Sequence, residues 1–569
     1  MGTISDKLMR IINTKEDIRQ ALISKGYDVP TSIPFKEYAK MISDLPCRVD
    51  SFPDIEGIVA RYSALGLTNE QMATNPVWVD KTGNGHGLQL KNFSWKGMSG
   101  VGGYGDENHQ TFYKFTLDDY VFIASPPGAK HMNFTFRVTG LQPGNKLTLA
   151  FFGTANTVYG TWNKDGIYTV DADIVEAGKP TYFYNGYGAT RGEFTIEILP
   201  LYPGALVFDG VDDWAGCDNL PLLPKEKGYS IIALRNWITR YDATQYKRPL
   251  ISNLDTNDEG AFLIEYRKDE NVNDVTGSYN SFTDVYIDDN NPITWQTSSS
   301  YNGQIIKKGT SKSTNKLCIC KTYFGQLSNY ANAAIWELII LDHDATEEEL
   351  TKIKDYFVKT YPWLFPDQAW TVVGKTNEDE DRATITNITG NGNDLVLSNF
   401  GFAEGSGYNE EGEYAGYLVT DGVDDKVVSA ESIAFTDTWT IITDTVFLGK
   451  VSVASGILAS NIFTVYNYQG SGTIAVTMGE GGSSLRVITS SIKAFSSDGT
   501  IYDAEWNEYH VEIGTIRALE RLLKIGTSSN ETSYFCQLAF KFLGIYNNQI
   551  LSKDDCIKAY NYLQTLKAK

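Results

Sequence analysis

Six aspartates at one repeated spacing are the first residues in this chain with a recognisable chemistry. Asp209, Asp212 and Asp213 stand in Leu206-Val207-Phe208-Asp209-Gly210-Val211-Asp212-Asp213. Asp421, Asp424 and Asp425 stand in Leu418-Val419-Thr420-Asp421-Gly422-Val423-Asp424-Asp425. Carboxylate oxygens grouped this way could ligate a calcium ion. The same aspartates could instead accept hydrogen bonds from nearby backbone amides and so build a turn, and that role takes precedence over the metal.

Sugar binding is the second chemistry on offer. Trp and Tyr faces stack on pyranose rings, and a few amides or carboxylates fix the orientation. Trp95, Trp162, Trp214 and Trp295 are the candidates, with Tyr301 beside them, and each has a competing role in a core. The five histidines, His86, His109, His131, His343 and His510, are scattered, and no Ser-His-Asp or Cys-His signature occurs in its required context. The chain is not expected to be an enzyme. The Gly-rich run from Gly97 to Gly105 has no helix pattern after it and no suitably placed Lys, so it is expected to be a turn rather than a phosphate cradle.

The elements that position these residues come in two copies. Thr82-Gly-Asn-Gly-His-Gly-Leu-Gln-Leu-Lys-Asn-Phe93 is nearly rewritten as Thr389-Gly-Asn-Gly-Asn-Asp-Leu-Val-Leu-Ser-Asn-Phe400. In each, a Gly-rich reversal leads into a strand whose Leu88/Leu90 or Leu395/Leu397 point to one face. The aspartate motif follows in both copies. Thr82 and Asp209 are 127 positions apart and Thr389 and Asp421 only 32, so the first copy carries about 95 extra residues, enough for a small domain. Each copy then closes on a long apolar strand, Ala334–Leu341 or Leu538–Tyr546, and a helix. Thr346 with Glu349, and Ser552 with Asp555, are placed to cap those helices. Ile353, Tyr356 and Phe357, and Ile557, Tyr560 and Leu563, recur at helical spacing.

Composition agrees with a strand-rich protein. A length of 569 residues suggests three or four domains. The 51 glycines supply turns, and the 11 Trp, 34 Tyr and 27 Phe suit pleated, half-buried surfaces. The net charge of −21 argues against a nucleic-acid partner. Cys47, Cys217, Cys318, Cys320, Cys536 and Cys556 are too sparse for a disulfide framework and lack zinc spacing. Cys318 and Cys320 are expected on one core-facing side of a strand. No stretch approaches the ~20 apolar residues that span a bilayer, and no signal-peptide pattern opens the chain. Synthesis in a reducing compartment without a signal peptide, and no membrane insertion, are therefore expected.

The fold class expected is mainly β: two sandwiches, which the resemblance of their repeated motifs to concanavalin A-like domains implies are jelly rolls, the first interrupted by an inserted β-sandwich, behind a short helical N-terminal segment. That segment, 1–50, shows apolar helical spacing at Leu8, Ile11, Ile12, Ile18, Leu22 and Ile23, and reads as an attachment or self-association element. The first jelly roll spans 54–105 and 204–365. The insert spans 106–203, where Phe134–Val138, Leu147–Phe152 and Phe194–Leu199 alternate. The second jelly roll spans 367–569.

Phe208-Asp-Gly-Val-Asp-Asp213 followed by the apolar strand Tyr229–Leu234, with the strand-and-helix ending, resembles the laminin-G-like, concanavalin A-like jelly-roll family; Thr420 replaces Phe208 in the second copy. The resemblance covers both repeats and implies a two-sheet jelly roll with a concave face that binds glycans in many relatives. Family hydrolases carry Glu-x-Asp-x-x-Glu on one strand, a pattern this sequence lacks. Thr14–Gly26 with Phe35–Ala39 looks like the leader of fibre and appendage proteins of tailed bacteriophages, including crAss-like phages.

The expectation is a structural virion appendage, a head or tail fibre protein. Its N-terminal segment would attach to a phage capsid or tail protein, its chains would associate as a homo-oligomer, and its partners would include surface glycans. A soluble or cell-surface lectin is the alternative, with a glycan hydrolase behind it.

Overall fold

The structure is a computed structural model that describes residues 52–104, 112–115, 120–123, 131–141, 145–151, 157–173, 181–185, 194–223, 228–238, 247–255, 263–267, 293–297, 300–301, 304–305, 314–325, 329–403, 405–410, 414–449, 455–460, 463–467, 474–478, 484–487, 489, 491–514, 520–527 and 535–568. The helical segment expected at 1–50 lies outside the described residues. The chain divides into a small unit, Met1–Ile55 with Glu348–Tyr356, and a large one, Glu56–Glu347 with Phe357–Lys569. In the small unit Phe52 meets Tyr356 edge to face, their ring centroids 5.0 Å apart.

The large unit is mainly β. Its first sandwich pairs an eight-stranded sheet with a six-stranded one. The eight-stranded sheet runs Gln304–Ile305, Ser300–Tyr301, Ile293–Thr297, Ser230–Trp237, Asn332–Leu341, Leu206–Asp209, Gly100–Val101, with Ile58–Ser63 also paired to Asn332–Leu341. The six-stranded sheet runs Leu263–Arg267, Lys247–Ser252, Leu317–Ile319, Trp214–Cys217, Leu88–Lys91, Val77–Trp78. Alternation does the sorting. Leu88 and Leu90 are buried while Gln89 and Lys91 are exposed. With Ala215, Cys217, Leu317 and Ile319, those leucines join Leu206, Phe208, Ile231 and Ile335 in one core. Asn332–Leu341 is buried at all but its first residue, as its continuous apolar run implies for a strand covered on both faces.

The expected turn at Gly97–Gly105 contains a two-residue strand, Gly100–Val101, that pairs with Leu206–Val207. Backbone bonds next to it, Gly102 N to Ala205 O and Leu201 N to Gly103 O, both 2.8 Å, clasp the two chain ends between which residues 104–200 run. Ends held this close let an added domain sit in a loop without disturbing its host. The residues between form two four-stranded sheets. One runs Gly166–Asp173, His131–Thr139, Phe194–Leu199, Phe112–Phe115; the other runs Tyr120–Ile123, Thr181–Asn185, Leu147–Phe151, Thr157–Trp162. Phe134, Phe136, Val138, Leu147, Leu149, Phe183, Phe194 and Ile196 form their own core.

The second sandwich has two eight-stranded sheets. One is centred on Leu538–Asn547 and Trp439–Phe447, and the other runs from Thr384–Ile385 through Leu395–Ser398 and Lys426–Ser429 to Ser484–Val487. The C-terminal helix Lys553–Thr565 starts as the sequence predicts: Ser552 Oγ accepts from Asp555 N at 3.2 Å and donates to Asp555 Oδ2 at 2.8 Å. Cys556, Ile557, Ala559, Tyr560, Asn561, Tyr562 and Leu563 are all buried, more than one helix face can bury against a single sheet. The reason is that other parts of the unit touch it as well. Leu563 lies over Gly544, where a Cβ would meet it at 2.8 Å. Thr135 Oγ1 of the inserted sandwich reaches Asn561 Oδ1 at 3.3 Å, and Asn236 Nδ2 of the first sandwich reaches Thr565 Oγ1 at 3.3 Å. Among the described residues no helix is long and apolar enough to cross a membrane.

Candidate functional site

The six aspartates end two identically built turns. Asp209 Oδ1 accepts from the amides of Val211 (2.8 Å), Asp212 (3.3 Å) and Asp213 (3.3 Å), while Asp213 Oδ2 accepts from Asp209 N at 3.1 Å. Asp421 Oδ1 accepts from Val423 (2.7 Å), Asp424 (3.3 Å) and Asp425 (3.5 Å), and Asp425 Oδ2 from Asp421 N at 2.8 Å. One carboxylate oxygen from each member of a trio lies within 4.8 Å of the others, close enough for a cation. Yet the Asp209 and Asp421 carboxylates are already engaged by backbone amides, which is the turn chemistry the spacing allowed. Burial, then the Asp209 charge, pushes the Asp213 carboxyl up to about 7 against the hydroxyl of Ser99 and the Asp209 amide. Burial pushes Asp425 up to about 6.

The loops preceding these turns also match. Asn92 Nδ2 donates to Asp212 O at 2.9 Å, and Asn399 Nδ2 donates to Asp424 O at 2.9 Å. Ser94 N donates to Ser99 Oγ at 2.9 Å, and Gly401 N to Ser406 Oγ at 2.8 Å. Asn69 bridges both backbone atoms of Val101 (3.1 and 2.8 Å), as Asn377 does those of Tyr408 (2.8 and 2.8 Å). Each loop holds a large aromatic residue at positive φ, Trp95 at 57° and Phe402 at 49°. Gly100 and Gly407 permit this: a Cβ on Gly100 would sit 3.3 Å from the Trp95 Cα, and one on Gly407 would sit 2.9 Å from the Phe402 Cα.

Among the described side chains the stacking candidates do not converge. Trp95 is half-buried and stacks on Phe93 with centroids 4.9 Å apart and an interplanar angle of 18°. Trp162 belongs to the inserted sandwich, where it meets Phe136, Tyr168 and Phe183 and folds over Gly160. Trp295 and Tyr301 lie on Ile293–Thr297 and Ser300–Tyr301, and their side chains are outside the described residues.

Trp214 has the richest surroundings. Gly216 pairs with Cys318 between the pairs Ala215–Ile319 and Cys217–Leu317. Those flanking residues enter the core, so Trp214, Gly216 and Cys318 occupy the opposite face of the six-stranded sheet. The bare Gly216 lets two rings close over it: a Cβ there would meet Trp214 at 2.8 Å and Phe324 at 3.1 Å. The two half-buried rings meet edge to face, centroids 5.7 Å apart at 89°. Lys321 Nζ lies 4.1 Å from the Trp214 centroid and Lys316 Nζ 4.9 Å from that of Phe324.

Sequence reasoning missed Phe324, Lys316 and Lys321. A signal was present, since the lysines bracket Leu317-Cys-Ile-Cys320 in an acidic chain. Cys318 and Cys320 do not share a face. The strand ends at Ile319, Cys320 turns to a φ of 57°, and only Cys320 joins the core cluster, although both are fully buried.

No family model matches the chain, and no curated protein matches it. Among solved structures it is similar to Trypanosoma rangeli sialidase in complex with sialic acid (TM-score 0.25, 9% identity, 80% of this chain and 82% of that one). It is also similar to the same sialidase in complex with 2,3-difluorosialic acid as a covalent intermediate (TM-score 0.24, 11% identity), where this chain spans 41% of its own length and 41% of that chain. A third is the botulinum neurotoxin serotype D binding domain (TM-score 0.22, 9% identity, 61% and 88%). TM-scores of this size are too low to transfer activity or ligand to this chain.

Proposed function

We propose that this chain is a structural appendage protein of a tailed-phage particle, a head or tail fibre, attached through its N-terminal segment and adhering to glycans with its sandwiches. The observation that carries the adhesive role is the Trp214–Phe324 pair, held over Gly216 on the sheet face turned away from the core. Aromatic rings fixed by their own packing offer C–H contact area to a pyranose at little entropic cost. A sandwich built twice, with a third clasped into it, suits a chain that acts as spacer and contact surface together. Weak sites of this kind gain from many copies on one particle. The particle assignment rests on the phage-leader resemblance at Thr14–Ala39 and on the laminin-G-like resemblance of both repeats.

Mass spectrometry of purified particles tests the first half: the chain is expected as a structural component, and its absence would overturn the assignment. Deleting residues 1–50 is expected to yield particles lacking the protein; normal incorporation would remove the attachment role. A glycan array probed with the full chain is expected to give hits that Trp214→Ala loses. An empty array overturns adhesion, whereas hits from a chain absent from particles favour the lectin alternative.

A further inference from the structure

We infer that the Trp214–Phe324 patch, with Lys321 and Lys316, takes a carboxylate-bearing sugar such as a uronic acid, an inference that rests on the glycan-binding reading above. Lys321 is only 7% exposed, in a chain of net charge −21. A buried ammonium normally has a carboxylate against it, because losing water without a counter-charge is costly. Lys321 has no ion-pair partner among the described residues. Its ammonium contacts the Trp214 ring and the Phe324 carbonyl oxygen, the latter at 3.4 Å, long for a hydrogen bond. Burial holds its pKa below the usual lysine range. Lys316 reaches a carboxylate only at 3.9 Å, that of Asp218, which is 69% exposed.

Two cations therefore stand over two aromatic rings on one face of a sheet, and the more buried one lacks a counter-ion. A neutral sugar would use the rings and leave Lys321 as it is. A pyranose carrying a carboxylate can lay its C–H face on one of the two perpendicular rings and set its anion against the ammonium, where low exposure strengthens the charge-assisted hydrogen bond. The rings give sugar recognition, and Lys321 gives the preference for acid.

The test is calorimetric titration of the full chain with oligogalacturonate, a neutral oligosaccharide of equal length and a sulfated one, at low and moderate salt. Oligogalacturonate is expected to bind more tightly than the neutral sugar and to weaken with salt. Lys321→Met, which keeps the stem over Trp214, is expected to lose about tenfold for oligogalacturonate and to lower the preference for the acidic over the neutral sugar accordingly. Lys316→Gln, at a more exposed site, serves as the second variant should Lys321→Met lower the melting temperature, and is expected to shift the preference the same way. Equal binding of acidic and neutral sugars, or an unchanged preference in both variants, overturns the inference while glycan binding stands. Preference for the sulfated sugar overturns the carboxylate assignment. Binding of no sugar overturns both readings.

Discussion

The side chain of Asn92 is tied to the backbone of Asp212, 120 positions away: its Nδ2 donates to the Asp212 carbonyl at 2.9 Å. Asn92 has a φ of 67°, and Asn399, which makes the same bond to Asp424, has a φ of 71°. Asparagine is suited to both tasks, since it tolerates the left-handed region and carries the donor. The two tasks separate experimentally. Asn92→Gly keeps the backbone and loses the tie, and is expected to cost about 0.5–1.5 kcal/mol in denaturant unfolding. Asn92→Ala also loses the favourable backbone and is expected to cost roughly 1 kcal/mol more. Equal costs would mean that the turn does not need the left-handed residue.

The aspartate trios distinguish a turn from a calcium site by what each responds to. If the Asp209 carboxylate serves three backbone amides, Asp209→Ala hands those largely exposed donors to water and is expected to destabilise by about 0.5–1.5 kcal/mol with or without calcium. Adding millimolar calcium, or removing it with a chelator, is expected to leave the melting temperature within about a degree. A bound ion at a hundred times its Kd would contribute about 2.7 kcal/mol. A shift of several degrees, abolished in Asp421→Ala or Asp209→Ala, would identify a metal site.

Asp213 carries a pH signature. Its folded pKa, about 7, lies above the ~3.9 of an unfolded aspartate, so the native state binds the extra proton in between. Stability from this group is therefore present below the unfolded pKa and falls as pH rises from about 4 to about 7; Asp425, at about 6, adds in the same direction. Asp444 works oppositely. Burial alone would raise it, but the Lys493 ammonium at 2.7 Å and the Tyr417 hydroxyl at 2.8 Å hold it below the ordinary range. Its contribution is lost as pH falls through that depressed value. Asp213→Asn is expected to raise the melting temperature at pH 8 relative to the parent and to give no gain near pH 4. A pH-independent difference would show that Asp213 does not titrate in this window.

What the sequence made legible was whatever local chemistry decides. Leu88/Leu90 and Leu395/Leu397 face their cores because strand alternation leaves them no other choice. The Ser552–Asp555 cap and the aspartate turns close within four residues, so spacing was enough. The Lys321–Trp214 contact joins residues 107 positions apart, and it depends on Gly216 being bare and on Phe324 arriving from another segment. Trp95 and Phe402 were opaque for a different reason. A bulky residue at positive φ goes against local preference, and it is held there by the close approach of Gly100 or Gly407 rather than by anything in its own neighbours.

Two polar contacts described between the inserted sandwich and the second sandwich, Lys164–Glu505 and Thr135–Asn561, differ in what they contribute. Lys164 Nζ and Glu505 Oε2 are 2.9 Å apart, but the lysine side chain is 57% exposed, so solvent screens the pair and the two side chains give up entropy to hold it. Thr135 and Asn561 are each 2% exposed and bond at 3.3 Å, so the Asn561 amide deprived of that hydroxyl has no water to turn to. Lys164→Ala is therefore expected to change stability by under about 0.5 kcal/mol, less at high salt, while Thr135→Val, which strands the Asn561 amide, costs about 1–3 kcal/mol and is insensitive to salt. Restoring the balance by removing both partners, as Thr135→Val with Asn561→Leu, is expected to recover much of that loss, because no buried polar group is then left unmet. Urea melts at low and high salt measure all three. If Lys164→Ala proved the costlier change, the exposed ion pair, and not the buried Thr135–Asn561 contact, would be what holds the inserted sandwich against the second sandwich.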